Sequence, residues 1–290
     1  MSSTILPMTW AHHRIVWGQR TYVMGIVNIT PDSFSNDGLQ RDRLSEEELV
    51  ERAIELARGF VAEGAAFIDV GGESTRPGAP ALPAEQEMAR VLPVVRALHE
   101  ALPPEVIISI DTYKAEVARQ ALDAGASMIN DIWALRRDPI MAALAAERQV
   151  PVVLMANMRD FHKREIVSDV VRFLCASIER ALAAGIAWEH IIIDPGIGFG
   201  TTPEENLTLL RRLGELRALG RPILLGTSRK STIGRVLGGL PASERLEGTA
   251  ATVALGIAQG ADIVRVHDVR EMMRVVKMSD AVVRGVFELA

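Results

Sequence analysis

Polar side chains close several apolar runs in this sequence, and a buried polar group in such a place needs a partner or a ligand. Asp111 follows Val-Ile-Ile-Ser-Ile, and Asp194 follows Ile-Ile-Ile. Two such carboxylates could hold a metal, act as acid and base, or accept the two adjacent N–H groups on a guanidine-like edge of a flat heterocycle. Each could instead cap the helix that follows it, which is a common use of Asp.

Asn130 and Asp131 end another apolar run in the same way. An amide offers a donor and an acceptor together, which suits a heterocycle with a mixed edge. The alternative for both residues is an Asx turn, in which the side chain bonds to the backbone a short distance further on.

A cationic set follows other apolar runs and could surround one phosphorylated group. It comprises Arg76, Lys230, Arg265 and His267, together with the amide of Asn28. Arginine forks phosphate oxygens, whereas lysine acts as a point charge. Arg265 lies inside Ile-Val-Arg-Val, which disfavours a solvated surface position, while His267 could also be a satisfied core histidine.

Two glycine-rich segments do not match the nucleotide-binding fingerprints. Gly196, Gly198 and Gly200 have the spacing G-x-G-x-G, which differs from the dinucleotide motif. The segment 226–231 lacks the glycine that precedes lysine in a Walker loop, so an ATPase of that type is excluded.

The composition limits the class of protein. The 290 residues are 48% hydrophobic and 24% charged, the balance of a globular protein with a sizeable core. A formal net charge of −5 without a dense basic run disfavours nucleic acid as a partner, and no apolar stretch approaches the roughly 20 residues of a membrane helix. The single cysteine, Cys175, excludes an internal disulfide and fits a reducing compartment, so a cytoplasmic location is expected.

Short β-branched runs alternate with longer segments of helical period, and these are the elements that must position the polar residues. Eight runs predict strands, at residues 22–27, 66–70, 106–110, 127–129, 151–155, 190–193, 222–225 and 262–266. They are apolar almost throughout, as expected of parallel strands buried on both faces. Amphipathic segments predict helices between them, at residues 45–63, 84–100, 114–124, 167–184 and 203–219.

Eight strands, each followed by a helix, over roughly 250 residues predict an α/β fold of the (β/α)8 TIM-barrel type in a single domain. A doubly wound sheet of six strands is the alternative, which the count of eight disfavours. Residues 1–20 are expected to form a short hairpin-like extension over the barrel floor, and residues 21–290 the barrel. Chemistry in such a barrel lies where the strands end, so the polar residues above should meet at one rim.

Seven segments of the chain together resemble the dihydropteroate synthase family of pterin-binding TIM-barrel enzymes. They are Met24-Gly-Ile-Val-Asn28-Ile-Thr-Pro-Asp32-Ser-Phe-Ser35, Asp69-Val-Gly-Gly-Glu-Ser-Thr-Arg76-Pro-Gly78, Ser109-Ile-Asp111, Ile129-Asn130-Asp131, Asp194-Pro-Gly-Ile-Gly-Phe-Gly200, Ser228-Arg-Lys230-Ser231 and Arg265-Val-His267-Asp268. These segments occur in the family's order and extend over almost the whole chain.

The resemblance implies a transferase of folate biosynthesis. Such an enzyme condenses p-aminobenzoate with (7,8-dihydropterin-6-yl)methyl diphosphate and gives 7,8-dihydropteroate and diphosphate. The resemblance also implies small-molecule substrates, Mg²⁺ as cofactor and a homodimer. It further implies inhibition by sulfonamides, which are similar to p-aminobenzoate.

Residue by residue, the resemblance implies three groups of contacts. The pterin would be held by Asp111, Asn130, Asp194 and Lys230, with Phe199 near it. The diphosphate would be held by Asn28, Arg76, Arg265 and His267, with Asn28 also a magnesium ligand. Thr75 and Ser228 would shape the p-aminobenzoate side, and Arg76, Lys230, Arg265 and His267 would be the catalytic residues.

The chain departs from the family's pattern at Ala156, where His is common, and at Thr201, where Lys is common. Neither position has an assigned role, so we expect changed packing or local charge there.

Two other functions stay open: a corrinoid-linked methyltetrahydrofolate methyltransferase, which needs no diphosphate site, and a pterin-binding paralogue without turnover. The cationic set disfavours both.

Overall fold

The computed structural model describes residues 5–30, 45–74 and 81–287 of the chain. Its strands are β1 (Met8–Trp10), β2 (His13–Ile15), β3 (Tyr22–Asn28), β4 (Phe67–Gly71), β5 (Ile107–Asp111), β6 (Met128–Asp131), β7 (Val152–Met155), β8 (Ile191–Asp194), β9 (Leu224–Leu225) and β10 (Ile263–Val266). Its helices are α1 (Glu46–Ala62), α2 (Ala84–Ala101), α3 (Ala115–Asp123), α4 (Met141–Arg148), α5 (Ile166–Ala183), α6 (Pro203–Arg211), α7 (Ser231–Val236), α8 (Leu246–Ala258) and α9 (Val269–Arg284).

Eight of these strands form a closed parallel barrel. Strands β3 to β8 pair in chain order, and β10 pairs with β3 on one side and β9 on the other. An isolated parallel bridge between Ile193 and Ile223 joins β8 to the residues leading into β9. The predicted (β/α)8 barrel is therefore confirmed, because a doubly wound sheet would leave two unpaired edges.

Two predicted elements are shorter than the sequence pattern suggests. The strand predicted at 222–225 is reduced to β9, whose ladder covers only Leu224 and Leu225. The helix predicted at 203–219 ends at Arg211 and continues as a 3₁₀ helix over Leu213–Leu219. Gly214 is the second residue of this 3₁₀ helix, and glycine disfavours a continuous α-helix. No helix in the described ranges is long and apolar enough to span a membrane.

The interior of the barrel is filled in layers, because alternate residues of each strand point inward. The lowest layer takes one apolar residue from each strand: Met24, Phe67, Ile107, Met128, Val153, Ile192, Leu224 and Ile263. Their neighbours along the strands, such as Val23, Ile68 and Ile108, belong instead to the cluster packed under the helices. This alternation explains why the strands are apolar on both faces.

The hairpin of β1 and β2 lies against the amino-terminal ends of the barrel strands. Met8, Trp10, Ile15 and Trp17 are buried in the same cluster as the lowest layer. The indole Nε1 of Trp10 donates a hydrogen bond to the carbonyl oxygen of Ser127, at 2.8 Å. Apolar side chains thus close this end of the barrel, and polar chemistry is left to the other end.

Candidate active site

Above the lowest layer the interior of the barrel becomes polar. Two residues further along each strand lie Ile26, Asp69, Ser109, Asn130, Met155, Asp194, Gly226 and Arg265. Two residues further again lie Asn28, Asp111, Ser228 and His267. Because side-chain direction repeats every two residues along a strand, these positions share the inner face. Most of the predicted site residues therefore meet inside the carboxyl-terminal half of the barrel.

Arg265 is the centre of the charged network in this half. Its Nε donates to Asp69 Oδ2 at 2.6 Å, and its Nη2 donates to Asp111 Oδ2 at 2.7 Å. Asp69 also accepts a hydrogen bond from the amide Nδ2 of Asn130, at 3.0 Å. Burial acts to lower the pKa of Arg265, but the carboxylates of Asp69 and Asp111 outweigh it and raise the pKa. The guanidinium is therefore a permanent, half-buried cation that ties three strands together.

Asp194 has a polar partner on only one of its two oxygens among the described residues. Its Oδ1 accepts a hydrogen bond from the backbone N–H of Gly196 at 2.7 Å. Burial raises the pKa of Asp194 to about 6, against the opposing effects of that hydrogen bond and of Lys230. Burial also raises the pKa of Asp111, although Arg265 opposes it. Both carboxylates would gain from a ligand that brings N–H donors or positive charge.

Lys230 faces the same interior from the loop after β9. Its Nζ lies 4.2 Å from the centre of the Phe199 ring, and Arg159 lies over the same ring at 5.0 Å. Burial lowers the pKa of Lys230 to about 8, with Asp194 acting in the opposite direction. Lys230 is therefore mostly protonated at neutral pH and stands between the carboxylate of Asp194 and an aromatic wall.

His267 and Ser228 form a pair at the upper edge of the site. The hydroxyl of Ser228 accepts a hydrogen bond from the backbone N–H of His267 at 3.2 Å and lies 3.0 Å from its Nδ1. Burial, followed by the nearby charges of Arg265 and Arg229, lowers the pKa of His267 to about 4. His267 was grouped with the cations in the sequence, but with this pKa its ring is neutral at neutral pH, and its place in the site stays a prediction.

Asn28 is the residue expected to hold a magnesium ion, and its surroundings fit that role. A Cβ added to Gly71 would lie 3.2 Å from Asn28 Oδ1 and 3.7 Å from Asp111 Oδ2, so these oxygens face one small space. Mg²⁺ commonly takes one or two protein oxygens and completes its shell with water and ligand phosphates. Within the described ranges no three His, Cys, Asp or Glu side chains are grouped to hold a metal.

The glycine loop after β8 packs directly on the loop after β7. Gly196 and Gly200 have φ values of 72° and 76°, in the left-handed region that favours glycine. A Cβ at Gly196 would overlap the carbonyl oxygen of Ala156, and one at Gly200 would overlap the backbone at Arg159. The glycines therefore allow the backbone of this loop to pack closely against the loop after β7. This packing holds Phe199 beside Lys230.

The two departures from the family's pattern have simple packing. Ala156 is fully buried, and its N–H donates to the carbonyl oxygen of Asp194 at 2.9 Å. Thr201 Oγ1 accepts a hydrogen bond from the N–H of Gly198 and donates one to Asn206 Oδ1 at 2.6 Å. At position 201 a hydroxyl thus joins the glycine loop to α6.

The alternative uses of the polar residues are also decided by the geometry. Asp111 bonds to Arg265 instead of capping α3, which begins without a side-chain cap. Asn130 bonds to Asp69 and makes no Asx turn. Asp131 does turn back onto the chain, because its carboxylate accepts the N–H groups of Trp133 and Leu135. Thr75 and Arg76, which were expected to join the site, lie outside the described residues.

Asp69 is the main participant that the sequence did not single out. It is fully buried, and its position two residues after inward-facing Phe67 was the available signal. Ile132 and Met155 form with Phe199 a separate buried apolar cluster. This cluster provides the flat apolar surface that a planar ligand needs beside the charged network.

The chain is similar to known proteins over nearly its whole length. A model of the family described as pterin binding enzyme matches residues 24–267. A dihydropteroate synthase of Bacillus subtilis is 49% identical over 263 residues, which is 91% of this chain and 89% of the relative. A Clostridium difficile dihydropteroate synthase structure with pteroic acid has a TM-score of 0.86 and 47% identity, and covers 93% of this chain and 99% of its own. A Xanthomonas albilineans dihydropteroate synthase structure with 4-aminobenzoic acid has a TM-score of 0.88 and 41% identity, and covers 98% and 100%.

Proposed function

The chain belongs to the dihydropteroate synthases of the pterin-binding enzyme family, and from that premise we propose how its own residues carry out the reaction. The reaction joins p-aminobenzoate to (7,8-dihydropterin-6-yl)methyl diphosphate, forming 7,8-dihydropteroate and releasing diphosphate. The observation that carries the proposal is the meeting of Asp111, Asp194, Lys230 and Arg265 above one apolar layer, with Asp194 buried and the other three half-buried.

The pterin lies on the polar layer of the barrel. Its guanidine-like edge presents two adjacent N–H groups, which Asp194 accepts with the carboxylate that has a partner on only one oxygen. Asp111, Asn130 and Lys230 bind its remaining polar atoms, and Phe199 packs beside the ring with Met155. Binding draws Asp194 toward its ionised form because burial alone disfavours that form.

The diphosphate lies nearer the mouth, between Asn28, Arg76, Arg265 and His267. Nε and Nη2 of Arg265 are used by Asp69 and Asp111, and among the described residues Nη1 makes no hydrogen bond. Arg265 thus extends from the pterin carboxylates toward the anion. Neutral His267 donates a hydrogen bond to a phosphate oxygen or takes up a proton from solution as negative charge arrives.

Bond exchange requires the diphosphate to leave the methylene carbon as the aniline nitrogen attacks it. The dihydropterin delocalises positive charge from that carbon, and the carboxylates of Asp111 and Asp194 favour this cationic state. The aniline nitrogen is a sufficient nucleophile once Ser228 and Thr75 hold p-aminobenzoate in place, so no covalent enzyme intermediate is needed. Mg²⁺, for which Asn28 is the proposed protein ligand, would neutralise charge on the departing diphosphate.

The test of the function is a diphosphate-release assay with the pterin diphosphate as substrate. Release coupled to dihydropteroate formation should require both p-aminobenzoate and Mg²⁺, and a sulfonamide should compete with p-aminobenzoate. No dihydropteroate in the complete mixture would contradict the proposal. Methyl transfer from methyltetrahydrofolate to a cobalt centre, without diphosphate release, would replace it by the methyltransferase alternative.

The residue assignments have a matched test in two lysines. Lys230→Ala should lower kcat/KM roughly 100-fold, because a half-buried cation of the site is lost. Lys277→Ala on α9 removes an exposed lysine and should leave kcat/KM unchanged. Equal rates in the two variants would remove Lys230 from the mechanism.

A homodimer is the proposed assembly, through the outer face of α8 and α9. These helices pack on each other and present apolar side chains to solvent, with Leu255 63%, Met278 65% and Val282 73% exposed. Apolar surface of this kind commonly marks an interface, and two helices can pair with their own copy about a twofold axis. Light scattering should give twice the mass of one chain, and Val282→Lys should give a monomer. A monomeric wild-type chain would contradict the dimer.

The division of the chain and its location complete the proposal. Residues 1–20 form an extension that covers the barrel floor, and residues 21–290 form the barrel with the active site. The single cysteine, Cys175, fits a reducing environment, and the proposed location is the cytoplasm.

A further inference from the structure

One residue of the turn after β9 faces away from the site that its two neighbours serve. Ser228 bonds to His267, and Lys230 lies against Phe199. Between them, the guanidinium of Arg229 turns to the carboxylate of Asp268 and contacts both of its oxygens, with Nε 3.0 Å from Oδ2 and Nη2 bonded to Oδ1. The ion pair joins the loop after β9 to the loop after β10.

This ion pair runs beside a second link between the same two loops. Ser228 and Arg229 are consecutive, and so are their partners His267 and Asp268. Two adjacent links fix both the distance and the rotation of one loop relative to the other, which a single link cannot do. The loops so joined carry Lys230 on one side and His267 on the other.

The backbone at Arg229 is held in a conformation that arginine disfavours. Its φ is 56°, in the left-handed region that glycine and asparagine occupy more readily. The Arg229 N–H donates to Thr249 Oγ1 at 3.1 Å, and its carbonyl oxygen accepts a hydrogen bond from Arg245 Nη1 at 2.8 Å. Such a conformation persists where surrounding contacts enforce it, and it commonly marks a functional turn.

Asp268 also departs from its ordinary local use. It is the N-cap of α9, a position where Asp usually bonds to the first free N–H groups of the helix. Here the side chain makes no such bond and turns to Arg229 instead. Both members of the ion pair thus give up a locally favourable arrangement: Arg229 has a disfavoured backbone conformation, and Asp268 does not cap its helix. Such local exceptions are expected at functional positions.

We propose that Arg229 and Asp268 are a pair of positioning residues for the proposed synthase reaction. Their ion pair holds the turn of Ser228 and Lys230 against the loop of His267, so that the pterin-binding and diphosphate-binding groups keep one spacing. Neither side chain contacts the substrates. The inference rests on the proposed function for its kinetic readout but has a binding readout of its own.

The principal variant is Asp268→Asn, which keeps the size of the side chain and its ability to cap α9. The expected result is a loss of kcat/KM of about tenfold to 100-fold, mainly through a higher KM for the pterin diphosphate, since a small misplacement of binding groups is enough to lower productive binding. The affinity for inorganic diphosphate by calorimetry should fall by about tenfold. The melting temperature should stay within about 2 °C, because partly exposed ion pairs contribute little to stability.

The controls separate positioning from general destabilisation. Arg270→Ala removes another ion pair at the start of α9, in which Nε lies 3.6 Å from Glu63 Oε1, and should change neither KM nor diphosphate affinity. Asp268→Glu, which restores the carboxylate, should recover most of the lost kcat/KM. Arg229→Ala should reproduce the defect of Asp268→Asn, and the double variant should be no worse than either single one, as expected for two members of one link.

Unchanged KM and unchanged diphosphate affinity in Asp268→Asn would overturn the proposal. Independent, multiplying defects in the double variant would overturn it too. If the wild-type chain binds inorganic diphosphate but forms no dihydropteroate, the proposed function fails while the calorimetric comparison still decides whether the pair positions the anion site. If Asp268→Asn is too unstable to assay, Arg229→Lys, which keeps the charge and loses the fork, takes its place with the same expected direction.

Discussion

The pKa of Asp194, a carboxylate in the polar layer, is set mainly by its burial away from water. Asp194 is nearly fully buried and has a pKa of about 6, while its ordinary value is 3.8. A folded state that binds the proton more tightly than the unfolded state is stabilised most at low pH. The stabilisation from Asp194 is complete below about pH 4 and is lost as pH rises through about 6. The site therefore stores unfavourable free energy at neutral pH, which a ligand with N–H donors relieves.

This storage predicts how pterin binding depends on pH. Affinity for pteroic acid, measured by calorimetry, should weaken roughly tenfold for each pH unit below about 6, because protonated Asp194 loses one acceptor. Asp194→Asn should bind pteroic acid weakly throughout and should lose most of this pH dependence. Equal wild-type affinity at pH 5 and pH 7.5 would show that Asp194 does not bind the pterin edge.

A substitution at Asp69 should lower stability as well as turnover, because Asp69 acts through Arg265. Asp69→Asn removes one of the two carboxylates that hold the guanidinium, while Asp111 remains. The free energy of unfolding should fall by about 3 kcal/mol, the lower end for breaking a buried ion pair. Turnover of the folded fraction should fall as Arg265 loses its fixed direction. Urea unfolding together with steady-state kinetics measures both, and wild-type values in each would exclude Asp69 as the support of Arg265.

The sequence predicts the carboxylates at the strand ends but not the pairing between them. Asp111 and Asp194 are evident because each closes an apolar run. Asp69 opens one of the family's segments, but it lies in the middle of a strand, where the sequence pattern alone does not distinguish it from a packed core position. The neutral state of His267 could not be predicted either, because the pKa of the imidazole depends on its removal from water and on charges from two separate segments, 229–230 and 265–268.

At the scale of secondary-structure elements, the loops after the strands are shaped by close backbone contact. Gly200→Ala should lower the free energy of unfolding by more than about 2 kcal/mol, since a Cβ would meet the backbone at Arg159 and the φ of 76° is strained for alanine. The same change should raise the KM for the pterin substrate, because Phe199 is carried by this loop.

A suitable control for that variant is Gly238→Ala. Gly238 has a similar φ of 78°, but an added Cβ would meet nothing within 4 Å. The backbone cost is thus shared by the two variants, and the collision is confined to position 200. Thermal unfolding and KM should distinguish them, and equal effects would mean that φ alone explains the change.

Element positions could be predicted well where a hydrophobic period is continuous. All eight predicted strands have both ends within two residues of the observed ones, because each is an apolar run between polar loops. The segment 203–219 was predicted as one helix because its apolar residues keep a helical spacing across Gly214. Its break into α6 and a 3₁₀ helix that contains Gly214 and packs against α5 is not reported by the periodicity.

For the molecule as a whole, the barrel separates a stabilising end from a reactive end. Trp10→Ala should lower the free energy of unfolding by about 3 kcal/mol or more, since it removes a buried indole and its hydrogen bond to Ser127. At a temperature where the variant is folded, kcat and KM should match the wild type, because the reaction takes place beyond the lowest layer. A change in KM at constant stability would contradict this separation.

The closed amino-terminal end also gives the interior of the barrel a single entrance. A molecule resting on the polar layer has an eight-sided apolar plate beneath it and the indole of Trp10 beneath that, so it can depart only by the route through which it arrived. Two reactants that share one entrance must bind in order. The flat ring that binds deepest enters first, and the smaller aromatic amine binds second and blocks its dissociation. The ligand that binds last must then dissociate first, and a compound bound nearer the entrance traps the ligand below it.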